Sequence, residues 1–184
     1  MKAGELIINS RKWGTFKVLY DFDDQNIIDQ RRWFIWRNPS NNKFYVKANL
    51  WNKELKTNSG LLLHRVIMKA PKGLQVDHIN GDPLDNRKEN LRLCNHQQNQ
   101  LNRGPGKNNI SGYKGVHPRR PNHWAAQFSI TIDGKRKWFC GEARNCKHAS
   151  AHDYNKFIRE YSDESFAYIN KVKECNCDEC LYLS

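Results

Sequence analysis

Short apolar runs broken by polar turn clusters fill the first sixty residues. Leu6-Ile7-Ile8, Phe16-Lys17-Val18-Leu19-Tyr20, Trp33-Phe34-Ile35-Trp36 and Phe44-Tyr45-Val46 have the length and the β-branched or aromatic content of strands. Clusters such as Arg37-Asn38-Pro39-Ser40-Asn41-Asn42 separate them. Asp21 to Arg32 has room for a short helix starting near Asp23 or Asp24. Residues 61–70, LLLHRVIMKA, predict a buried helix with Ala70 as its boundary, because a residue before Pro avoids the helical region. Leu74 and Val76 then signal a short strand, and Leu91-Arg92-Leu93 a second. Between them lie Asn80-Gly81-Asp82-Pro83 and Asp85-Asn86, turn residues that predict a long connection. Asn95 to Asn102 is polar and can start a helix with Asn95 as its N-cap.

After Asn102 the pattern changes. Arg103-Gly104-Pro105-Gly106-Lys107-Asn108-Asn109 reads as a basic linker. From Trp124 to Ile132 the chain alternates with period two. Trp124, Ala126, Phe128, Ile130 and Ile132 fall on one face, and Ala125, Gln127, Ser129 and Thr131 on the other. Asp133-Gly134 is a hairpin signal, with Lys135 to Cys140 as the return strand. Asn145 to Tyr161 reads as an amphipathic helix with Cys146, Ala149, Tyr154, Phe157 and Ile158 turned inward. Core packing is the expectation for both Trp124 and Trp138. The fold class is therefore α+β: a β-rich start, a strand–loop–strand–helix centre, then a three-stranded antiparallel sheet with one helix.

Charge narrows the partners. The chain of 184 residues holds 31 Lys+Arg against 19 Asp+Glu, a net +12, which points to a polyanion. No apolar run approaches the length needed to span a bilayer, so no membrane is expected. The first residues lack a signal peptide's apolar centre, so an intracellular, non-secreted protein with reduced cysteines is expected.

Asp77 and His78 stand side by side at the end of the first central strand. Asp77 is a hard anionic oxygen ligand, and Asn99 offers a neutral carbonyl oxygen. Together they suit Mg²⁺ or a similar ion. His78 titrates near neutral pH, as a general base must. Strand neighbours point to opposite faces, so Asp77 and His78 serve one centre only if the strand ends there. The Asn90 amide can bridge backbone groups of the loop. His64 is read as a packing residue and Cys94 as a small buried one.

Leu63-His64-Arg65, Pro71 to Asp82, Leu84-Asp85-Asn86-Arg87, Glu89-Asn90-Leu91-Arg92-Leu93 and Asn99 together resemble the HNH endonuclease family, closest to its phage and intron-encoded homing branch. The resemblance implies a ββα-metal nuclease motif. In it, Asp77 and Asn99 would hold Mg²⁺ or Mn²⁺, His78 would activate the attacking water, and Asn90 would brace the loop. The usual last residue of that motif is His; Asn99 stands in its place, as in homing members.

A second resemblance is carried by Gly115-Val116, Trp124-Ala125-Ala126, Phe139-Cys140-Gly141, Ala149 to Tyr154 and Ala167-Tyr168-Ile169-Asn170. These residues are similar to the APETALA/ethylene-response-factor DNA-binding domain of plants. It implies a sheet in the DNA major groove, with Lys114, Arg119, Arg120, Gln127, Ser129 and one or two of Lys135, Arg136 and Lys137 facing double-stranded DNA. His117 and Ser129 stand where that family commonly has arginines, so its base preference does not transfer.

Cys175, Cys177 and Cys180 form a Cys-x-Cys-x-x-Cys tail. Three thiols can join a Zn²⁺ site if Cys140, Cys146 or His148 supplies a fourth ligand. A frayed tail with reduced thiols is the reading preferred here. The expected division is 1–102 nuclease with its β-rich start, 103–110 linker, 111–172 DNA-binding domain and 173–184 tail, in a monomer. The expected function is metal-dependent DNA cleavage of the homing type, with non-catalytic, sequence-specific DNA binding as the alternative.

Overall fold

A computed structural model describes residues 2–53 and 56–181; the last three residues of the expected tail lie outside this range. The chain folds as two compact units, 1–99 and 100–184, so the basic stretch 103–110 goes with the second. The architecture is α+β, with small antiparallel sheets and short helices.

In the first unit, β1 (Ala3–Ser10) pairs with β2 (Gly14–Asp21), each apolar run becoming a strand of eight residues. A 3-10 turn at Phe22–Asp24 leads into α1 (Gln25–Asp29), where the sequence leaves room for a short helix. Strands β3 (Phe34–Arg37), β4 (Phe44–Asn52) and β5 (Thr57–Leu62) form a sheet in that order. β5 carries no strong strand signal and takes Leu61 and Leu62, which sequence assigns to a helix. Pairing Leu62 with Lys47 and Leu61 with Ala48 outweighs local helix propensity there.

The helix α2 (Leu63–Ile67) is correspondingly short. It ends in a Schellman arrangement: Lys69 N–H donates to Val66 O at 3.1 Å and Ala70 N–H to Arg65 O at 3.0 Å. Lys69 takes the left-handed conformation this cap requires, with φ 45°. Arg65 then fastens the turn, donating to the carbonyls of Leu74 (2.8 Å), Pro71 (3.2 Å) and Ala70 (3.3 Å). This grip fixes the entry into β6 (Gln75–His78), which pairs with β7 (Leu91–Cys94).

One apolar cluster joins these parts: Val18 and Tyr20 of β2, Val46 of β4, Leu63 of α2, Val76 of β6 and Leu91 of β7. The N-terminal sheets therefore share a core with the β6–β7 hairpin. Leu63 has no exposed surface, and replacing it with Ala would cost about 2–5 kcal/mol.

The helix α3 (His96–Asn102) starts with a capping box on Asn95. Gln98 N–H donates to Asn95 Oδ1 and Asn95 N–H to Gln98 Oε1, both at 2.9 Å.

In the second unit, β8 (Val116–Arg120), β9 (His123–Ile132) and β10 (Lys135–Cys140) form a sheet with β9 in the middle. The helix α4 (Lys147–Tyr161) packs on one face. Ala126, Phe128 and Ile130 meet Tyr154 and Ile158 there, as the period-two pattern predicts. Gly115 has φ 71°, and a Cβ on it would fall 2.1 Å from the Tyr154 ring, so only glycine fits. Trp124 packs beside Tyr113, Val116 and Ala151. A short helix α5 (Asp178–Leu181) follows later in the chain.

Candidate active site and candidate nucleic-acid face

The connection from β6 to β7 is built almost entirely from polar side chains turned onto backbone. Asn90 Nδ2 donates to Asp85 O at 2.8 Å, and Asn90 Oδ1 accepts from Asn80 N–H at 2.9 Å. One amide thus spans the loop, using its donor and its acceptor together. Asn80 Oδ1 accepts from Asp82 N–H at 2.8 Å, and Asp82 Oδ1 from Leu84 N–H at 2.9 Å. Arg87 reaches both carboxylate oxygens of Asp85 at 2.8 Å and holds that carboxyl below its ordinary pKa.

β2 braces the outside of this loop. Leu19 N–H donates to Leu84 O at 2.9 Å, and Asn86 N–H to Leu19 O at 2.7 Å. Lys88 N–H meets Asp21 Oδ2 at 2.8 Å, and Lys88 Nζ meets Asp24 Oδ1 at 2.7 Å. Sequence reasoning did not connect Asp21 and Asp24 with the loop. Sixty-odd residues of chain separate the partners, and no local pattern announces such a pair.

Asp77 and His78 are both buried at the end of β6. Successive strand residues alternate, so Asp77 shares its face with Gln75. Its cross-strand partner Arg92 donates from Nε at 2.9 Å and Nη2 at 2.8 Å to Asp77 Oδ2. Asn99 lies on this side as well, its Nδ2 donating to Gln75 Oε1 at 2.6 Å. The Asp77 carboxylate and the Asn99 amide are hard oxygen donors on one side of the hairpin. That donor set fits a divalent ion of the Mg²⁺ class.

His78 sits among aromatic and imidazole rings: His64 at 5.0 Å and Tyr45 at 6.5 Å between centroids. Burial lowers its pKa, while Asn86 and the carboxylates of Asp77, Asp82 and Asp85 pull the other way. His64 is pushed down to about 3, first by burial and then by His78 and Arg65. Both imidazoles are therefore neutral at neutral pH. His64 packs as sequence reasoning has it, and what it packs beside is the candidate base. No local pattern in the sequence signals this pair; α2 brings His64 to it.

The open face of the second unit follows from the two-residue turn at Asp133-Gly134, with φ of 51° and 72°. Register pairs Thr131 with Arg136, Ser129 with Trp138, and Gln127 with Cys140. Arg136 donates to Ser129 Oγ at 3.0 Å and lies 4.4 Å from the Trp138 ring centre. Arg119 reaches Cys140 Sγ, and Arg120 is exposed.

Of the three basic residues only Arg136 is on the open face: Lys137 pairs with Ile130 and Lys135 with Ile132, on the side of the helix-facing residues. Two further expectations fail. Lys114 is no DNA-facing cation: its Nζ donates to the carbonyls of Gln100 and Leu101, and burial pushes it down to about 8. Trp138 is not core; 65% of it is exposed, because the register puts it opposite Ser129.

The tail is not frayed over its described residues. Sγ atoms of Cys146, Cys175, Cys177 and Cys180 lie within 4.8 Å of one another. Cys140 is exposed and stands with Arg119 instead. His148 Nδ1 is 3.5 Å from Cys146 Sγ, outside the four-thiol group. Cys94 is buried at the end of β7.

Residues 62–101 match the family of HNH endonucleases. Over 70 residues the chain is 37% identical to Protein 3.8 of Escherichia phage T7, covering 38% of this chain and 56% of that protein. The match thus spans little more than half of that relative. Over 167 residues it is 29% identical to an uncharacterised HNH endonuclease of Acanthamoeba polyphaga mimivirus, covering 86% of this chain and 76% of the relative. No solved structure matches the chain. The stretch similar to HNH endonucleases contains Asp77, His78, Asn90 and Asn99. No helix among the described residues is long and apolar enough to cross a membrane.

Proposed function

We propose that this protein is a divalent-metal-dependent DNA endonuclease of the homing type. His78 is its general base, Asp77 and Asn99 are its metal ligands, and Asn90 positions the loop. The observation that carries this reading is that Asp77 and His78 are both buried at the end of β6, where the connection that follows is spanned by Asn90. A bound Mg²⁺ or Mn²⁺ would supply charge neutralisation at the scissile phosphate and at the leaving 3′ oxygen. His78 takes the proton from the attacking water, because its lowered pKa keeps the ring unprotonated. Asn90 ties Asn80 to Asp85 and so holds the strand end from which Asp77 and His78 project. The Asp85–Arg87 pair stiffens the far side of the loop.

The second unit supplies DNA affinity as an APETALA-type sheet lying against double-stranded DNA. Arg119, Arg136, Gln127 and Ser129 share its open face, with Trp138 offering an apolar contact. Arg120, at the end of β8, adds a phosphate contact. In this reading 1–102 is the nuclease, 103–110 the basic connection and 111–172 the DNA-binding domain. The protein acts inside the cell as a monomer.

One observation favours the alternative of DNA binding without cleavage: the Arg92 guanidinium already grips the proposed ligand Asp77. Supercoiled plasmid incubated with Mg²⁺, with Mn²⁺ or with EDTA decides between the two. Metal-dependent conversion to open circle or linear DNA, lost in His78→Ala, supports the nuclease. Tight binding of a substrate carrying the target site, with no cleavage under any metal, supports the alternative.

A further inference from the structure

We infer that Cys146, Cys175, Cys177 and Cys180 form a structural zinc site that fastens the end of the chain to the start of α4. Four thiol sulfurs lie within 4.8 Å of one another, and all four cysteines are unbridged. The Cys146 sulfur is 3.7 Å from that of Cys175 and 3.6 Å from that of Cys180. A disulfide needs about 2.05 Å. Four sulfurs placed about 2.3 Å from one ion at tetrahedral angles are about 3.8 Å apart. The observed spacings match the edge of that tetrahedron and not a covalent bond.

The ligands come from two places in the sequence. Cys146 is the residue before the first turn of α4, in extended conformation, so its side chain is presented at a helix start. The other three come from the Cys-x-Cys-x-x-Cys tail. There Cys180 N–H and Leu181 N–H both donate to Cys177 O, at 2.9 and 3.1 Å, curling the last two ligands around one point. Glu179 locks the two pieces together. Its Oε2 accepts from Cys146 N–H at 2.8 Å and its Oε1 from Asn145 N–H at 3.1 Å. Such outer contacts fix the orientation of metal ligands.

Closed four-thiolate sites without an open position are structural rather than catalytic. Soft thiolates in a tetrahedron select zinc or iron over Mg²⁺, so this centre and the nuclease ion would not compete. Zinc would close the chain from 146 to 180 and hold a tail that contributes little apolar surface of its own, Cys180 being its buried anchor. The inference does not depend on cleavage and stands whether or not the first unit is active.

The test is metal analysis of the full chain purified under reducing conditions from zinc-supplemented cells. One zinc per chain is expected. Replacement by Co²⁺ should give the sulfur-to-metal charge-transfer bands and the intense ligand-field bands of a tetrahedral four-thiolate centre. Cys146→Ser should lose stoichiometric zinc, and Cys140→Ser should keep it. If Cys146→Ser fails to fold, the Co²⁺ spectrum of the unaltered chain still counts the thiolates. Four outcomes overturn the inference: absence of metal, iron in place of zinc, full zinc and an unchanged Co²⁺ spectrum in folded Cys146→Ser, or an intact mass lowered by a disulfide.

Discussion

The two hairpins β6–β7 and β9–β10 solve opposite problems. The first is joined by the long connection 79–90, the second by two residues, Asp133 and Gly134. In the first, Asp85, Asn86 and Asn90 are buried and spend their side chains on neighbouring backbone or on the loop's own charges. In the second, the loop buries nothing, and the return strand stays exposed along most of its length. A buried polar loop fixes a reacting group in space, at the risk that any lost partner leaves another group unsatisfied. A tight turn fixes only register, but register decides which side chains a flat sheet presents.

Removing the proposed general base should have the largest effect. His78→Ala is expected to lower cleavage by roughly 10²–10⁴-fold while leaving DNA affinity unchanged. Nicking assays beside binding isotherms measure both. Equal cleavage by the variant would detach the loop from the chemistry. Next comes the loop itself. Asn90→Ala strands the Asn80 N–H and the Asp85 carbonyl, at a cost of about 2–3 kcal/mol of stability and with a loss of cleavage. Gly134→Ala strains a left-handed turn residue in the other hairpin and should cost about 1 kcal/mol. Denaturant midpoints of the two variants compare the hairpins directly, and equal losses would break the contrast.

The two sites differed in how far sequence alone revealed them. For the first, side-chain chemistry and the HNH resemblance pointed to Asp77, His78, Asn90 and Asn99 as candidates, and the amide chemistry of Asn90 suggested its bridging bonds. Sequence did not reveal the partners that arrive from elsewhere: Arg92 on Asp77, the His64 ring beside His78, and β2 along the loop. These depend on strand pairing and on the shortness of α2, where tertiary pairing took Leu61 and Leu62 into β5. For the second, period-two alternation sorted β9, while the face of Lys137 stayed open and Lys114 and Trp138 were misplaced. Their positions turn on a one-residue difference in register and on two carbonyls that capture an ammonium. The thiol cluster fell between these cases: the tail motif was visible, but its closure on Cys146 needed the fold of α4.

Acid should probe the first unit next. An unfolded chain takes up a proton on each imidazole near pH 6.5, which the folded chain resists until about pH 3 at His64. The unfolded state therefore binds more protons in that window, and stability falls as pH drops through it. His64 alone contributes at most about 1.4 kcal/mol per unit, hence about 2 kcal/mol lost by pH 5. His78 acts in the same direction by a smaller amount. Urea midpoints between pH 7 and pH 5 measure this, and His64→Phe should flatten the curve if it folds. Cleavage should rise with pH through the lowered pKa of His78 and level off by neutrality. A rate that still climbs with unit slope above pH 7 would place another group in the role of base.

The smallest effects belong to the open face of the second unit's sheet, where Arg136 and Trp138 are exposed. Arg136→Ala should weaken binding to double-stranded DNA by about 1 kcal/mol and reduce the salt slope by about one counterion. Trp138→Ala should weaken binding by a similar amount with the salt slope unchanged, because it removes contact area and no charge. Lys137→Ala should change affinity least, since its strand partner is Ile130 on the opposite side of the sheet. Fluorescence anisotropy across a salt series separates the three. A Lys137 variant that loses as much affinity and slope as the Arg136 variant would mean that DNA meets the edge of β10 rather than the face shared by Arg136, Trp138 and Ser129.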